Sequence, residues 1–326
     1  MADGRLARFA AALLALSLLV GACGDDGDSG GTGPAVTTPT VDAPGLPFTY
    51  TGPDGVETTV TDVSRIVTLS GEFSEIVYEL GLADNLVGVD LSSVYPRDVM
   101  RTKAKIGVER VLLPEPIIAT EPTVVLGDVD AFPPEVIDQV RGAGIPVIIL
   151  PRYEGVDAPG AKIRAVGEVL GIPERGEELA ARVDAEIAEV LALTSGLEDR
   201  PRLVVLYATS GAQTLLLLGE NTVAEGLADA VGAIDVAPPA GEDGMLALTP
   251  EALAAGQPDV IITAERGLNS IGGIEAFLEL PGVAQTPAGI NQRILVFEDL
   301  YLLGLGPRTG ALLREIALEL HPDLGP

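Results

Sequence analysis

The sequence predicts an α/β protein of two lobes with mostly parallel sheets, joined by one long helix, and three observations carry that prediction. The first is a repeat: a thirteen-residue segment beginning Pro114-Glu115 aligns without a gap on one beginning Pro250-Glu251 (251 − 115 = 136). In both copies Pro-Glu opens a short helix, a second proline ends it, and an apolar run follows, Val124-Val125-Leu126 in one and Val260-Ile261-Ile262 in the other. Proline suits a first helical position, and an acidic residue beside it complements the helix dipole. The later proline stops the helix, and the β-branched run suits a strand buried on both faces. Copies so far apart are not a solenoid but two lobes of similar build. The second observation is the alternation of short apolar runs with helical patterns, the signature of a parallel sheet. The third is a long amphipathic segment at the midpoint of the chain.

The elements follow in order. Arg5 and Arg8 precede an apolar run from Phe9 to Val20, then Gly21, Ala22 and Cys23. This reads as a secretory signal, too short for a membrane span. Leu19-Val20-Gly21-Ala22-Cys23 resembles a bacterial lipobox, which makes Cys23 the lipid attachment site. As the chain's only cysteine it has no intramolecular disulfide partner. Gly24 to Gly45 lacks apolar periodicity and reads as a disordered tether. Arg65 to Leu69 is a strand, Phe73 to Leu80 a helix closed by Gly81, and Leu86 to Val89 the next strand. After the first repeat copy come a helix over Pro134–Gly142 and a strand over Val147–Leu150. A helix from Pro159 to Leu170 and a second running to about Leu193 make the connection; in the second, Leu179, Val183, Ile187 and Val190 recur at helical spacing. The second lobe resumes at Leu203 to Tyr207. The boundaries expected are a signal over 1–22, lipidated cysteine and tether over 23–60, one lobe over 61–158, the helical connection over 159–198 and the other lobe over 199–326.

Composition and motifs narrow the chemistry. The formal net charge is −28, which repels phosphate backbones and argues against nucleic acid. Gly27-Asp28-Ser29-Gly30-Gly31 spells a serine-protease string, but it lies in the tether with no general base nearby. The single histidine, His321, reads as an exposed residue near a frayed terminus, and with one histidine the common zinc, copper and facial-triad iron sites have too few ligands. No phosphate-binding P-loop is present, and Gly304 to Gly310 has the wrong spacing for a dinucleotide fingerprint. No catalytic constellation emerges.

Four stretches carry a family resemblance: Thr68-Leu69-Ser70-Gly71-Glu72-Phe73-Ser74-Glu75-Ile76-Val77-Tyr78-Glu79-Leu80-Gly81; Gly88-Val89-Asp90-Leu91-Ser92-Ser93-Val94-Tyr95-Pro96; Pro281 to Gly289; and Leu303-Gly304-Leu305-Gly306-Pro307-Arg308-Thr309. With them, Arg65 to Leu320 resembles the substrate-binding lipoproteins of ABC importers for heme, vitamin B12 and siderophores, and most closely their heme-binding branch. The resemblance implies two Rossmann-like lobes on a rigid helical bridge, a ligand gripped between them with modest closure, and no enzymatic activity or catalytic cofactor. It implies heme as the transported ligand, a permease dimer with its ATPase subunits as partner, and a lipid-anchored location on the extracytoplasmic face of the cell membrane.

The resemblance also implies site residues. Tyr95, in its Tyr-Pro motif, takes the place of the heme-iron ligand; tyrosinate is an established ligand of ferric heme. Tyr207 matches a second-lobe tyrosine of one subset, although that subset's histidine after Gly107 is absent and Thr209 stands in place of its arginine. Tyr153 is a third cleft candidate, and Tyr78, on a helix among apolar residues, reads as core. Arg97, Arg152 and Arg308, on loops near strand ends, are candidates for the two propionates. Glu115 and Glu251, one per lobe, stand where relatives dock on permease arginines. The alternatives are a siderophore or cobalamin binder on the same fold, or a chelatase-like enzyme.

Overall fold

The computed structural model describes residues 42–209, 214–219, 222, 224–238, 244–247 and 249–325. The signal segment, Cys23, the protease-like string and the tether as far as residue 41 lie outside them. Ordered structure begins before the boundary expected at 61. Phe48–Thr51 (β1) and Glu57–Val60 (β2) pair antiparallel within the stretch assigned to the tether. Two four-residue strands are too short to show a period in sequence and are marginal alone. They persist because they are tied to the lobe: Val60 is fully buried, Arg141 pairs with Asp54 at 2.6 Å, and Thr58 Oγ1 donates to the Val147 carbonyl at 3.3 Å.

The N-terminal lobe runs β3 (Ile66–Thr68), α1 (Gly71–Glu79), β4 (Leu86–Val89), α2 (Arg97–Met100), β5 (Ala104–Lys105), β6 (Gly107–Val108), β7 (Val111–Leu112), α3 (Pro114–Ile118), β8 (Val124–Asp128), α4 (Pro134–Gly142) and β9 (Val147–Leu150). Its sheet has the order β5-β4-β3-β8-β9, every pair parallel. Two helices connect the lobes, α5 (Pro159–Val169) and α6 (Pro173–Thr194). The C-terminal lobe then runs β10 (Arg202–Thr209), β11 (Thr214–Leu218), α7 (Leu227–Ala230), β12 (Ile234–Asp235), β13 (Met245–Ala247), α8 (Pro250–Gly256), β14 (Val260–Ala264), α9 (Glu265–Ser270), α10 (Gly273–Leu278), α11 (Pro287–Ile290), β15 (Ile294–Phe297), α12 (Asp299–Leu303) and α13 (Thr309–Leu320). Its sheet has the order β13-β11-β10-β14-β15, with β12 also on β10. Here β11 runs antiparallel to both of its neighbours, β10 and β13, and the few residues between β10 and β11 are too short for a crossover.

The repeat is architectural. The strand of each copy, β8 and β14, lies parallel beside the opening strand of its lobe, β3 and β10. Side chains alternate across each sheet, so both faces must be covered. In the first lobe Val67, Leu69 and Val125 fill a core on one face, with Ile117 and Val140 from the covering helices. In the second, Val204, Leu206 and Ile261 do the same with Leu253 and Phe277. The opposite faces, carrying Ile66, Val124, Leu203 and Val205, share one apolar cluster that runs through α5 and α6.

That shared cluster makes α6 a bridge. Leu179, Val183, Ile187 and Val190 are buried along it, each worth about 1.5–3 kcal/mol relative to exposure. Its polar side reaches both lobes, through Arg182 to Glu79 of α1 at 3.4 Å and through Glu189 to Arg314 of α13 at 2.8 Å. The helices α5 and α6 cross at glycines: a Cβ on Gly167 would sit 2.7 Å from the Gly176 Cα. Among the described residues no helix is long and apolar enough to cross a membrane. His321, expected to be solvated, is half-buried with Nε2 3.1 Å from the Val231 carbonyl, because α13 ends against the loop after α7 rather than in solvent.

Candidate functional site between the lobes

Parallel sheets place ligands beyond the carboxyl ends of their strands, where loops and helix starts converge. In the first lobe that edge begins at Gly71. A Cβ there would stand 2.6 Å from the Ser92 carbonyl oxygen, so the chain after β4 lies directly across the start of α1. Hydroxyls lock it in place. Asp90, 1% exposed, accepts from the Ser92 amide (3.0 Å), Ser92 Oγ (2.9 Å) and Ser93 Oγ (2.8 Å). Ser92 Oγ also accepts from the Gly71 amide at 2.8 Å, and Ser74 Oγ lies 2.6 Å from both Ser93 Oγ and Thr68 Oγ1. Burial raises the Asp90 carboxyl above its ordinary range, while the Ser92 and Ser93 hydrogen bonds pull it back. The Asp-Leu-Ser-Ser-Val-Tyr-Pro motif thus divides its labour: Asp90 and the two serines anchor the loop that presents Tyr95.

Tyr95 meets the other lobe. The Arg308 guanidinium lies over its ring, 3.8 Å from the centroid, and is 4.9 Å from the ring of Tyr301. Arg308 donates from Nε and one Nη to the two carboxylate oxygens of Glu75, at 2.9 and 2.7 Å. Glu75 sits on α1 and is 2% exposed. Burial pushes its carboxyl up; the Arg308 hydrogen bonds and charge oppose that. The Tyr301 hydroxyl donates to Glu315 at 3.2 Å, and burial with that carboxylate pushes its phenol up to about 12.

Beside this cluster lies a hollow of about 860 Å³, within the range of small-molecule sites. Tyr95 is not among the residues that line it. Its first-lobe wall includes Glu72, Glu109, Asp128, Asp130, Arg152 and Tyr153; Tyr207, Leu216, Leu218, Met245, Leu303 and Leu305 face it from the second lobe. Two carboxyls of this wall are shifted upward. Burial, then the charges of Glu72 and Asp128, push Glu109 up to about 10; burial, then Glu72, push Asp128 up to about 6. Glu109 Oε1 is buried with no hydrogen-bond partner among the described residues. Lys162, buried on α5, donates to the Gly304 carbonyl at 3.0 Å and stands 3.7 Å from Glu72. Arg152 hydrogen-bonds Asp130 through Nε at 3.1 Å and through one Nη, and is 48% exposed. The Tyr207 hydroxyl donates to Asp299 at 3.3 Å. Burial raises the phenols of Tyr207 and Tyr153, the latter to about 12.

The residues singled out from sequence therefore fall into separate places. Tyr95 joins Arg308; Arg152, Tyr153 and Tyr207 join in the hollow. Arg97 is exposed at the start of α2 and makes no ion pair among the described residues. Tyr78 packs half-buried against the core. Glu115 and Glu251 are exposed in the first turns of α3 and α8. Sequence reading missed Glu75, Glu109, Asp128 and Lys162. Among the described residues no group of three or more histidine, cysteine or carboxylate side chains is placed to hold a metal ion.

A model of the periplasmic binding protein family matches residues 66–300. The chain belongs to that family. Among solved structures, this family member is similar to the periplasmic heme-binding protein RhuT from Roseiflexus sp. RS-1 in apo form: 41% identity, 80% of this chain and 99% of that one, TM-score 0.76. It is also similar to the heme-binding protein HmuT, at 36% identity over 87% of this chain and 93% of that one, TM-score 0.78. Among curated relatives, the ABC transporter substrate-binding lipoprotein YvrC of Bacillus subtilis (strain 168) is 23% identical over 96% of both chains. A cobalamin-binding protein of Halobacterium salinarum is 26% identical over 66% of this chain and 58% of its own length.

Proposed function

We propose that this periplasmic binding protein holds heme between its lobes outside the cytoplasmic membrane and delivers it to an ABC-type permease, with no covalent chemistry of its own. The observation that carries this reading is the pair of phenols at the interlobe cleft, Tyr95 and Tyr207, in a chain whose one histidine is tied to the Val231 carbonyl. Ferric iron is a hard ion that takes oxygen donors, and a phenolate is a known axial ligand of heme. The likeness to RhuT and HmuT, both named as heme-binding, supports the same ligand. Tyr95 is the dominant iron ligand in this reading and Tyr207 the second candidate. Arg97, which makes no ion pair among the described residues, and Arg152, half exposed on Asp130, are the candidates for the propionates. The hollow, largely apolar on the second-lobe side, would take the porphyrin edge. Cobalamin is the second reading, favoured by the Halobacterium relative.

Titration of the apoprotein with hemin and with cyanocobalamin separates the two. Hemin should produce the charge-transfer absorption of ferric tyrosinate, lost in Tyr95→Phe. An unchanged spectrum in that variant moves the ligand to Tyr207, and binding of cyanocobalamin alone overturns the heme reading.

Delivery needs a docking surface and a tether. Glu115 and Glu251 occupy equivalent exposed positions in the two repeat copies, which suits a roughly two-fold permease dimer carrying its ATPase subunits. Glu115→Ala with Glu251→Ala should keep heme affinity yet abolish stimulation of permease ATPase activity; normal stimulation would reduce both to helix-dipole partners. Cys23 would carry the lipid anchor on the extracytoplasmic face, and the mature protein would then show an acyl-chain mass that Cys23→Ser lacks.

A further inference from the structure

Arg308 was expected from sequence to face a propionate, but its surroundings give it another task. Its Nε and one Nη are taken by Glu75, a residue 233 positions away on the opposite lobe. That carboxylate is 2% exposed, and Lys162, the buried cation among the described residues, is placed on Glu72. A ligand carboxylate would have to draw Arg308 from a desolvated anion that then stands alone, a costly exchange. The face of the guanidinium is committed too, over Tyr95 at 3.8 Å and near Tyr301 at 4.9 Å. With the edge formed by Nε and one Nη held by Glu75 and a face held by the ring, Arg308 is set against Tyr95.

We infer that Arg308, clamped by Glu75, is a positioning residue for Tyr95: it acts on the bound ligand through the tyrosine ring and not by pairing with ligand carboxylates. The inference rests on the reading of Tyr95 as the heme-iron ligand. A cation over an aromatic face is attracted by its electron density, and the attraction grows when the ring carries the negative charge of an iron-bound phenolate. Arg308 therefore favours the ligated form of Tyr95 and withdraws density from the iron-oxygen bond. It also closes one ring face, so that a planar ligand meets Tyr95 by its oxygen and not by stacking there.

Hemin and hemin dimethyl ester, whose propionates carry no charge, distinguish the two roles. Arg308→Ala should weaken both probes by the same factor, on the order of tenfold, and shift the charge-transfer band of the bound ferric heme. In a Tyr95→Phe background the same substitution should change neither affinity nor spectrum further. Arg308→Lys keeps the charge but loses the planar fork, so it should recover part of the affinity and part of the band shift. A loss confined to hemin would make Arg308 a carboxylate partner and end the proposal. Equal losses with and without the Tyr95 hydroxyl would end it as well, by making the clamp purely architectural. Should Arg308→Ala not fold, Arg308→Lys carries the same comparison, with a smaller loss expected equally for both probes. Wild-type protein that binds neither probe refutes the heme reading itself, whereas wild-type binding unaffected in the Arg308 variants refutes only the clamp.

Discussion

The two sides of the interlobe cleft handle buried charge in opposite ways. On the Tyr95 side a carboxylate from one lobe, Glu75, meets a guanidinium from the other, and the pair is closed by two short hydrogen bonds. On the hollow side Glu72, Glu109, Asp128 and Asp130 share a wall with cations that are either partly exposed, as Arg152 is, or divided between a backbone carbonyl and a longer contact to Glu72, as Lys162 is. Burial first, and the neighbouring acids second, push Glu109 and Asp128 upward, so this wall takes up protons more readily than free carboxylates do. One side is a joint. The other is a vessel whose charge depends on pH. A protein that must hold a ligand and then release it has use for both, since the joint sets the geometry and the vessel keeps the space.

The largest expected effect tests the joint. Glu75→Ala leaves Arg308 without its partner and should cost about 3 kcal/mol of unfolding free energy, the lower end for breaking a buried pair because Arg308 is 24% exposed. Urea denaturation reads this directly; a loss below about 1 kcal/mol would place the pair among ordinary surface contacts.

A smaller effect tests the vessel. Glu109 and Asp128 are both shifted upward, so the folded chain holds these protons more tightly than the unfolded chain does. Their contribution to stability is complete below the ordinary carboxylate range near pH 4 and is lost as pH rises, through about 6 for Asp128 and on toward about 10 for Glu109. Glu109→Gln should flatten that decline and raise the melting temperature above wild type on the alkaline side, measured by calorimetry across pH. A wild-type melting temperature that climbs from neutral to alkaline pH would contradict the assignment.

The smallest effect on stability sharpens the contrast between two arginines. Arg152 is half exposed, and its pairing with Asp130 is worth about 0–1 kcal/mol. Arg152→Ala should leave the melting temperature nearly unchanged while weakening hemin more than its dimethyl ester, in contrast to the equal loss expected at Arg308. Equal weakening of both probes would remove Arg152 from the propionate site.

Much of the fold was legible because it is written in local terms. The helix over Pro134–Gly142 and the strand over Val147–Leu150 stand at the residues that proline, glycine and the Val-Ile run announce. The hairpin over Phe48–Val60 was not legible, since its turn is held by Arg141 and its second strand by Val147, both remote in sequence. Nor was Glu75, which looks like one more charge on an amphipathic helix until Arg308 arrives from the far end of the chain. Glu109 was hidden for a related reason: a single carboxylate in a short hairpin carries no sign of Glu72, Asp128, Asp90 and Asp130, which a helix, a strand and two loops bring near it.

By itself, then, the sequence determined the two lobes, their repeated helix-strand unit and the bridging helix, because periodicity and proline placement act over a few residues. The loop that carries Tyr95 is held both locally, by Asp90 on the Ser92 amide, and remotely, by Ser92 Oγ on the Gly71 amide, and only the first of these is a short-range pattern. Only the tertiary structure decided what each charge is for. Whether an arginine waits for a ligand or is spent on a buried glutamate depends on which side chains meet across the cleft, and electrostatic energy is set by distance and burial, neither of which a linear pattern contains.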